Sequence, residues 1–343
     1  MRGKIVTGLL CSTALALACG VGEANAAACS SPFVVGDVFA SVDSGGLVNV
    51  YTPTGSLVCT MNDSSGTTFT TGSGFDAAGN FYVTNFGAGN VSKFNNSGTL
   101  VSTAFMKYNT SSPESIDNQS SGFYAGLSVV GGVGAATIST FNTATGALAH
   151  TYSVTAGNGT GGTDWVDVHN ASTGQIIYDG EGTHILSAIL NANGTTTQLA
   201  DFTSAATEAA LSHIFAMRTI VSGADAGDVL VANSGDVVLL DAAGDIIKTY
   251  LSGKASGFFA LNLDPNGTDF WTGDDATGNI FEVNIATGAI DNSFSTGTGA
   301  STLYGLTVFG EQHTGTVPEP TSLALLGAGL VGLALVRRRR KAA

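Results

Sequence analysis

The feature that most constrains the fold is a unit that recurs six times along the chain, at spacings of 43 to 50 residues. Each unit contains an alternating apolar run followed by a polar turn that ends in glycine. The six turn glycines are Gly55, Gly98, Gly146, Gly194, Gly244 and Gly288. A fixed period of this length is typical of β-propeller blades, in which each unit forms one four-stranded sheet.

The second unit shows the plan of a blade most clearly. An opening run ends at Phe75, and further runs cover residues 81–85, 91–94 and 100–103. The turns between them are rich in Gly, Asn and Asp, which is typical of short antiparallel strands. The sequence therefore predicts four strands per unit.

The ends of the repeat array indicate how the ring closes. The first unit begins at Asp37 without an opening strand, while a strand-like run at residues 303–309 follows the sixth unit without a partner. Pairing that run with the first unit would remove both free sheet edges. We therefore predict an all-β, six-bladed β-propeller closed by a C-terminal strand that completes the first blade.

Residues 74–85, with the sequence GFDAAGNFYVTN, resemble the NHL-type repeat. Residues 113–125 and 264–274 are looser copies, and the fourth and fifth units lack the Asp-x-x-Gly-Asn turn. The resemblance implies the propeller fold. Proteins with such propellers include binding modules, lactonases and lyases, so the fold does not choose a function.

The N-terminus has the layout of a cleavable secretory signal. Two cations in the first four residues precede an apolar run at residues 5–18, and an Ala-x-Ala site ends at Ala26. The run is shorter than the ~20 residues of a spanning helix, so we predict cleavage after Ala26. A lipoprotein signal at Cys19 is the alternative interpretation.

The C-terminus combines three features in a fixed order. The triplet Pro318-Glu319-Pro320 precedes an uncharged apolar run at residues 323–336. Five cations follow: Arg337, Arg338, Arg339, Arg340 and Lys341. The run predicts a short membrane helix of about 21 Å, which needs flanking cations to reach across a ~30 Å hydrocarbon core. The positive-inside rule orients the C-terminus towards the cytoplasm.

This arrangement closely resembles the PEP-CTERM sorting signal of Gram-negative bacteria. The resemblance implies an inner-membrane anchor facing the periplasm, processing by an exosortase-type protease, and release to the cell surface or extracellular matrix. Such organisms usually make exopolysaccharide. The predicted domains are a signal peptide at 1–26, a propeller ectodomain at 27–312, and a linker with the sorting and anchor segment at 313–343.

Charge excludes one class of partner. Without its two ends, the chain keeps five Lys and Arg against 24 Asp and Glu, a net charge near −19. Such a surface repels phosphate backbones and anionic lipid, so nucleic acid is excluded as a partner.

Two cysteines remain after signal removal, Cys29 and Cys59. An even pair in an oxidising compartment predicts one disulfide. The alternative, a reactive or metal-binding thiol pair, has no neighbouring His or second Cys pair to support it.

Several aspartates follow turn positions. Asp76, Asp117 and Asp264 lie near the first turn of their units. They are either a ring of acidic ligands at the channel or, as we prefer, Asx-turn residues that bond their own backbone. Asp264, Asn266 and Asp269 have oxygens at spacings that suit Ca²⁺, but a distal bidentate Glu is missing, so a plain turn is preferred.

The densest polar cluster lies in the fourth unit. Its members are Asp164, Asp167, His169, Asp179, Glu181 and His184. Alternation along a strand puts Asp167 and His169 on one face. On an innermost strand they would point into the channel as metal ligands or as an acid/base pair. We expect His213 and Arg218, in the opening strand of the fifth unit, to neighbour them and to favour an anionic substrate or a metal-activated water.

The leading functional hypothesis is a non-catalytic surface or matrix protein whose propeller is a binding or scaffold module for exopolysaccharide or matrix proteins, with no cofactor required. The alternative is a lactonase- or lyase-like propeller enzyme with Ca²⁺, another divalent metal or a His/Asp site in the channel. A structural coat component is the third hypothesis. Trp165 and Trp271 are candidate sugar-stacking platforms, although burial is the preferred interpretation.

Overall fold

The computed structural model describes residues 27–42, 45–66, 69–108 and 112–312. The predicted signal peptide and the C-terminal sorting and anchor segment lie outside the described residues. Within these ranges the chain forms 24 β-strands and one short helix, so the all-β prediction is confirmed. In the same ranges, no helix has the length and apolar character needed to cross a membrane.

The strands follow one another with short connections. The first twelve are β1 (Val38–Val42), β2 (Leu47–Tyr51), β3 (Leu57–Asn62), β4 (Phe69–Phe75), β5 (Phe81–Phe86), β6 (Asn90–Phe94), β7 (Leu100–Lys107), β8 (Ser112–Gln119), β9 (Leu127–Val133), β10 (Thr137–Asn142), β11 (Leu148–Ser153) and β12 (Trp165–Asn170). The second twelve are β13 (Gln175–Asp179), β14 (Leu186–Leu190), β15 (Thr196–Gln198), β16 (Met217–Thr219), β17 (Val229–Asn233), β18 (Asp236–Leu240), β19 (Ile246–Tyr250), β20 (Phe258–Leu263), β21 (Asp269–Asp274), β22 (Asn279–Asn284), β23 (Ile290–Ser295) and β24 (Leu303–Val308).

These strands form six antiparallel four-stranded sheets, which confirms the six-bladed propeller. Five blades use four consecutive strands, beginning with β4, β8, β12, β16 and β20. The remaining blade has the order β24-β1-β2-β3, and Ala40 of β1 lies opposite Leu306 of β24. The innermost strands of neighbouring blades contact one another in a ring, so they surround a central channel.

The six repeated glycines share one structural role. Each lies in the turn between the third and fourth strands of its blade, with φ between 72° and 83°. This left-handed region is open to glycine without the steric penalty that a Cβ brings. The period seen in the sequence is therefore the period of these turns.

Glycine also lets the blades approach each other closely beside the channel. A Cβ at Gly72 would collide with the backbone of Glu114 in the next blade, and one at Gly305 would collide with the backbone of Thr71. The innermost strands thus pack backbone against backbone. A larger residue at either position would push neighbouring blades apart.

The N-terminal segment is fastened to the outer edge of the first blade. Cys29 and Cys59 form a disulfide, with Cα atoms 5.1 Å apart and a sequence separation of 30. The N–H of Thr60 donates to the carbonyl oxygen of Ala27 at 3.1 Å. On the chain-entropy account, closing such a loop stabilises the fold by roughly 3.5 kcal/mol.

The fourth and fifth blades, which depart most from the repeat in sequence, also differ in structure. Strands β15 and β16 have three residues each. Helix α1 (Ala205–Ala210) lies between them, and the side chain of its N-cap Ser204 accepts a hydrogen bond from the N–H of Thr207. The insertion explains why the opening strand of the fifth blade begins later than the repeat pattern indicates.

Candidate functional site

A cavity of about 260 Å³ opens at one end of the central channel. Its lining comes from five of the six blades, so it lies on the propeller axis. The lining includes Phe69, Phe86, Glu114, Glu181, Phe259 and Tyr304. We call this cavity the channel mouth.

Aromatic rings form a continuous surface at the channel mouth. The Tyr304 ring lies between those of Phe69 and Phe259, with centroid distances of 4.4 and 5.8 Å. Phe215 and the buried Trp165 pack against Phe259, with ring centroids 4.5 and 5.4 Å from that of Phe259. Phe69, Phe259 and Tyr304 are half-buried, so parts of their rings remain open to a ligand.

Four carboxyl groups gather beside these rings, and we call them the mouth carboxylates: Glu114, Asp164, Asp179 and Glu181. Glu114 lies on β8, Asp179 ends β13, and the other two lie in adjoining loops. One carboxylate oxygen from each of Glu114, Asp164 and Glu181 lies within 4.8 Å of the other two. No salt bridge in the described part of the chain involves any of the four.

Three mouth carboxylates have a buried oxygen without a hydrogen-bond partner. Glu114 is 4% exposed, and its Oε2 atom is unpaired. Asp164 and Asp179 are 0% exposed, and each has one unpaired oxygen, Oδ1 and Oδ2 respectively. Because buried polar atoms are nearly always paired, these three oxygens indicate that a proton, a cation or a ligand completes the group.

The pKa values of the mouth carboxylates reflect the same lack of balancing charge. Burial, followed by the charges of Glu181 and Asp164, raises the pKa of Glu114 well above its ordinary value. Burial raises the pKa of Asp164 to about 6. Burial and the charge of Asp164 raise the pKa of Glu181 to about 7, although the indole of Trp165 lowers it. Burial also raises the pKa of Asp179 well above its ordinary value.

The predicted Asp167 site forms a second group along the channel, which we call the interior network. Asp167 is buried on β12, and its Oδ2 atom accepts hydrogen bonds from the N–H and hydroxyl of Thr219 at 3.0 and 2.7 Å. Arg218 Nη1 lies 3.7 Å from Asp167 Oδ1, and Arg218 Nε donates to Asn262 at 3.1 Å. The structure thus brings Arg218 to Asp167, as the sequence predicts.

The Arg218 guanidinium offsets part of the acidic charge of the interior network. Burial raises the pKa of Asp167 to about 6, but Arg218 and the Thr219 hydrogen bonds lower it. Burial also raises the pKa of Glu311 to about 7 against the charge of Arg218, and Glu311 accepts a 2.6 Å hydrogen bond from the Thr307 hydroxyl. The Arg218 guanidinium therefore lowers the pKa values of both Asp167 and Glu311.

The two predicted histidines do not complete an acid/base pair with Asp167. His169 Nδ1 lies 3.1 Å from the hydroxyl of Thr219, and its ring packs edge-on against Phe202. Burial lowers the pKa of His169. The prediction that His213 lies in the opening strand of the fifth blade is wrong, because β16 begins at Met217 and His213 is exposed.

His184 does not lie with the other members of the polar cluster predicted in the fourth unit. Its Nε2 lies 3.3 Å from Glu208 of α1 and its Nδ1 lies 3.8 Å from Asp201. Ligand atoms of these three residues are close enough to share a metal ion. They are, however, partly exposed and already paired with one another.

Asp76 and Asp264 accept hydrogen bonds from backbone N–H groups of their own turns. Asp76 Oδ1 accepts from the N–H groups of Ala78 and Asn80, both at 2.9 Å. Asp264 accepts from the N–H of Asn266 at 2.8 Å and from the indole of Trp271 at 2.7 Å. These bonds match the Asx-turn interpretation at both positions.

The candidate Ca²⁺ loop is similarly occupied by protein donors. Asp269 accepts hydrogen bonds from the amides of Asn266 and Asn284. Asp117 differs from the turn aspartates, because it lies within β8 and accepts from the N–H of Val168 in the next blade at 2.9 Å. The Asx-turn interpretation of Asp117 is therefore wrong. Trp165 and Trp271 are both buried, as we preferred.

Sequence reasoning missed Glu114 and the aromatic residues of the channel mouth. Phe69, Phe259 and Tyr304 stand at the first or second position of innermost strands, so aligning the opening strands of the units would have revealed their shared place. Glu114 gives no such signal, because the strand around it, SPESIDNQ, is polar along most of its length.

Comparison with known proteins identifies the C-terminal segment. Residues 316–340 match the PEP-CTERM protein-sorting motif. The motif implies an exported protein that is targeted to an exosortase. It covers only the end of the chain and therefore concerns delivery, not the activity of the propeller. No curated protein matches the chain.

Solved structures similar to the chain share its fold at low identity. A chain of the nidogen/laminin complex is 13% identical with a TM-score of 0.57, covering 79% of this chain and 98% of that one. The WD40 β-propeller domain of Doa1 is 13% identical with a TM-score of 0.53, covering 84% and 92%. A protein from Lactobacillus plantarum is 16% identical with a TM-score of 0.55, covering 82% and 89%.

Proposed function

We propose that this exported protein is a surface or extracellular-matrix binding module that takes its ligand at the channel mouth. The observation that carries the proposal is the mouth itself, an open cavity of about 260 Å³ where half-buried aromatic rings meet carboxyl groups without balancing charge. Ligand sites characteristically combine an apolar lining with a few convergent polar groups. The interior network has its polar atoms engaged with one another and offers less to a ligand.

A polysaccharide is the ligand class that fits this surface best. The aromatic faces can stack on the apolar face of a sugar ring, and the carboxylates can accept hydrogen bonds from its hydroxyls. The strongly acidic ectodomain favours a neutral or amine-bearing polymer over an acidic one. A matrix protein is the second ligand class, and it would bind the same aromatic surface.

The sorting motif supports a route by which the propeller reaches the cell surface or matrix. The C-terminal segment would hold the protein in the inner membrane with the propeller in the periplasm, and the exosortase would then free the propeller for the cell surface or matrix. Binding at the channel mouth would retain the released protein there.

The test measures binding of the purified protein to isolated cell-surface polysaccharide. Phe259→Ala and Tyr304→Ala should each weaken binding by roughly 5- to 30-fold, equivalent to about 1–2 kcal/mol for one lost stacking contact. Phe123→Ala is the matched control, because Phe123 is an aromatic residue that is 43% exposed and does not line the mouth. Equal binding by all three variants would contradict the proposal.

A lactonase- or lyase-like enzyme is the second candidate function. One observation favours it: Glu181 borders the mouth, and burial raises its pKa to about 7, which suits general acid–base catalysis near neutral pH. The Asp167–His169 pair is less suitable, because Thr219 and Arg218 hold the Asp167 carboxylate. Turnover of a lactone or polysaccharide that Glu181→Gln abolishes would favour the enzyme, while binding without turnover would exclude it.

A further inference from the structure

We propose that Glu114, Asp164 and Glu181 form a divalent-cation site at the wall of the channel mouth, with Ca²⁺ as the preferred ion. Their three ligand oxygens lie within 4.8 Å of one another. That spread fits around one ion whose oxygen ligands lie about 2.3–2.6 Å away, and Ca²⁺ takes carboxylate oxygens in flexible geometry. The inference goes beyond the proposed binding of a surface polymer and stands without it.

The unpaired oxygens distinguish this group from an ordinary acidic surface. Glu114 Oε2 and Asp164 Oδ1 are buried without a protein donor. The hydroxyl of Thr160 donates to the other oxygen of Asp164, Oδ2, which leaves Oδ1 for the ion. A bound cation would satisfy both oxygens at once and would remove the cost of leaving them unpaired.

Asp179 acts as a positioning residue for the site. Its Oδ1 atom accepts the N–H of Glu181 at 2.7 Å. This bond holds Glu181 in a left-handed backbone conformation with φ 59°, beside the other mouth carboxylates. The second oxygen of Asp179, Oδ2, is buried and unpaired, but Asp179 is not one of the three residues whose ligand oxygens cluster.

Protons are the natural competitors for this site. The titratable groups that face it are the four mouth carboxylates, and the indole of Trp165 is the polar neighbour of Glu181. A divalent ion displaces protons from carboxyl groups, so its affinity rises with pH.

The site would also leave the ion accessible from the cavity. Glu181 is only partly buried, and both Glu114 and Glu181 line the channel mouth. Three protein carboxylates do not fill the six to eight oxygen positions of Ca²⁺. Water or the hydroxyls of a ligand would complete the coordination.

The test titrates Ca²⁺ alone into the chelator-treated, purified protein at pH 8 by calorimetry. The expected result is about one ion per chain, with affinity lowered about 100-fold in Glu114→Gln and in Glu181→Gln, because each variant removes a charged ligand. Asp201→Asn is the matched control, since it disrupts the separate His184–Asp201–Glu208 group and should leave binding unchanged.

Terbium luminescence gives a second readout of position. Tb³⁺ replaces Ca²⁺, and Trp165 beside Glu181 should sensitise its emission. Trp165→Phe should remove most of that emission while calorimetric ion uptake persists. If Glu114→Gln does not fold, the affinity of Glu181→Gln for Ca²⁺ is the deciding measurement, because Glu181 is less buried than Glu114.

Three results would overturn the proposal: no saturable Ca²⁺ binding by the folded protein, binding that survives both Gln variants, or binding that Asp201→Asn abolishes. Preferential uptake of Mg²⁺ would overturn the choice of ion. Since no polymer is present, failure here is separate from failure of the binding function, which Phe259→Ala tests without changing a mouth carboxylate.

Discussion

The channel mouth and the interior network both gather buried carboxyl groups, but they differ in what balances the charge. In the interior network, Arg218 lies 3.7 Å from Asp167, and Thr219 donates two hydrogen bonds to the same carboxylate. In the channel mouth no cationic side chain pairs with Glu114 or Asp164 in the described residues, and buried oxygens remain unpaired. Carboxyl groups therefore have two different electrostatic environments in one channel.

The hydrogen-bond partners of a buried carboxylate separate structural acids from candidate functional ones. A carboxylate with a partner for each oxygen contributes to specifying how blades meet, as Asp117 does by accepting the N–H of Val168. A buried carboxylate with an unpaired oxygen is destabilising in isolation, which points to a task outside the protein's own packing. On this criterion, we propose the channel mouth as the functional end of the channel.

The largest effect should come from removing the cation of the interior network. Arg218→Met should lower the free energy of unfolding by about 3–5 kcal/mol, because it leaves the buried Asp167 carboxylate without its counter-charge and removes the cation that lowers the pKa of Glu311. Chemical denaturation measures the change. Lys254→Met, at an exposed lysine, is the control and should change stability by less than about 0.5 kcal/mol. Similar stabilities for both variants would show that Arg218 does not balance the network.

The next largest effect should be a pH dependence of the free energy of unfolding that arises from the mouth carboxylates. The pKa values of Asp164 and Glu181 are about 6 and about 7 in the fold, above the ordinary values of 3.8 and 4.5. The folded state therefore holds protons that the unfolded state releases, so stability is full below pH 4 and falls as pH rises to about 7. After allowance for solvent at the open mouth, the loss should be about 1–3 kcal/mol.

Asp167 and Glu311 also have raised pKa values and contribute to the pH dependence of stability. Added Ca²⁺ distinguishes their contribution from that of the mouth carboxylates. Denaturation in chelator should show the full decline between pH 4 and 7, and saturating Ca²⁺ should restore stability at the upper end. A decline that Ca²⁺ leaves unchanged would assign the pH dependence to the interior network instead.

The smallest effect should come from His169. The side chain contacts Thr219 and the ring of Phe202, and a glutamine can keep one hydrogen bond there. We expect His169→Gln to change the free energy of unfolding by less than about 1 kcal/mol and to leave ligand binding unchanged. Loss of binding in this variant would move the functional site from the channel mouth to the interior network.

The propeller could be predicted from the sequence because its signals are local. Each repeated glycine occupies a turn that needs a left-handed residue, so the period of the chain is the period of the blades. The pairing of β24 with β1 followed from one unpartnered run and one incomplete unit. The later start of β16 was missed, because α1 interrupts the repeat where the sequence has no strong breaker.

The candidate site could be predicted only in part, because it forms from separate blades. Asp164 and Glu181 were found as neighbours in one unit, and Arg218 was placed correctly beside Asp167. Glu114 comes from the preceding blade and joins the mouth because β8 packs beside β12, a contact that no local pattern encodes. His184 and His213 were misplaced, since short separations along the chain do not translate into proximity across a loop.

The melting temperature of Glu114→Gln, compared with that of the unsubstituted protein at pH 8 in chelator, shows whether the Glu114 carboxylate lacks a counter-charge. If the mouth carboxylates lack a counter-charge, the neutral amide should raise the melting temperature by at least about 2 °C, and the gain should vanish near pH 4. Added Ca²⁺ should then stabilise the unsubstituted protein but not the variant. A lower melting temperature at pH 8 in chelator would contradict the account, because it would show that the Glu114 carboxylate is already balanced within the protein.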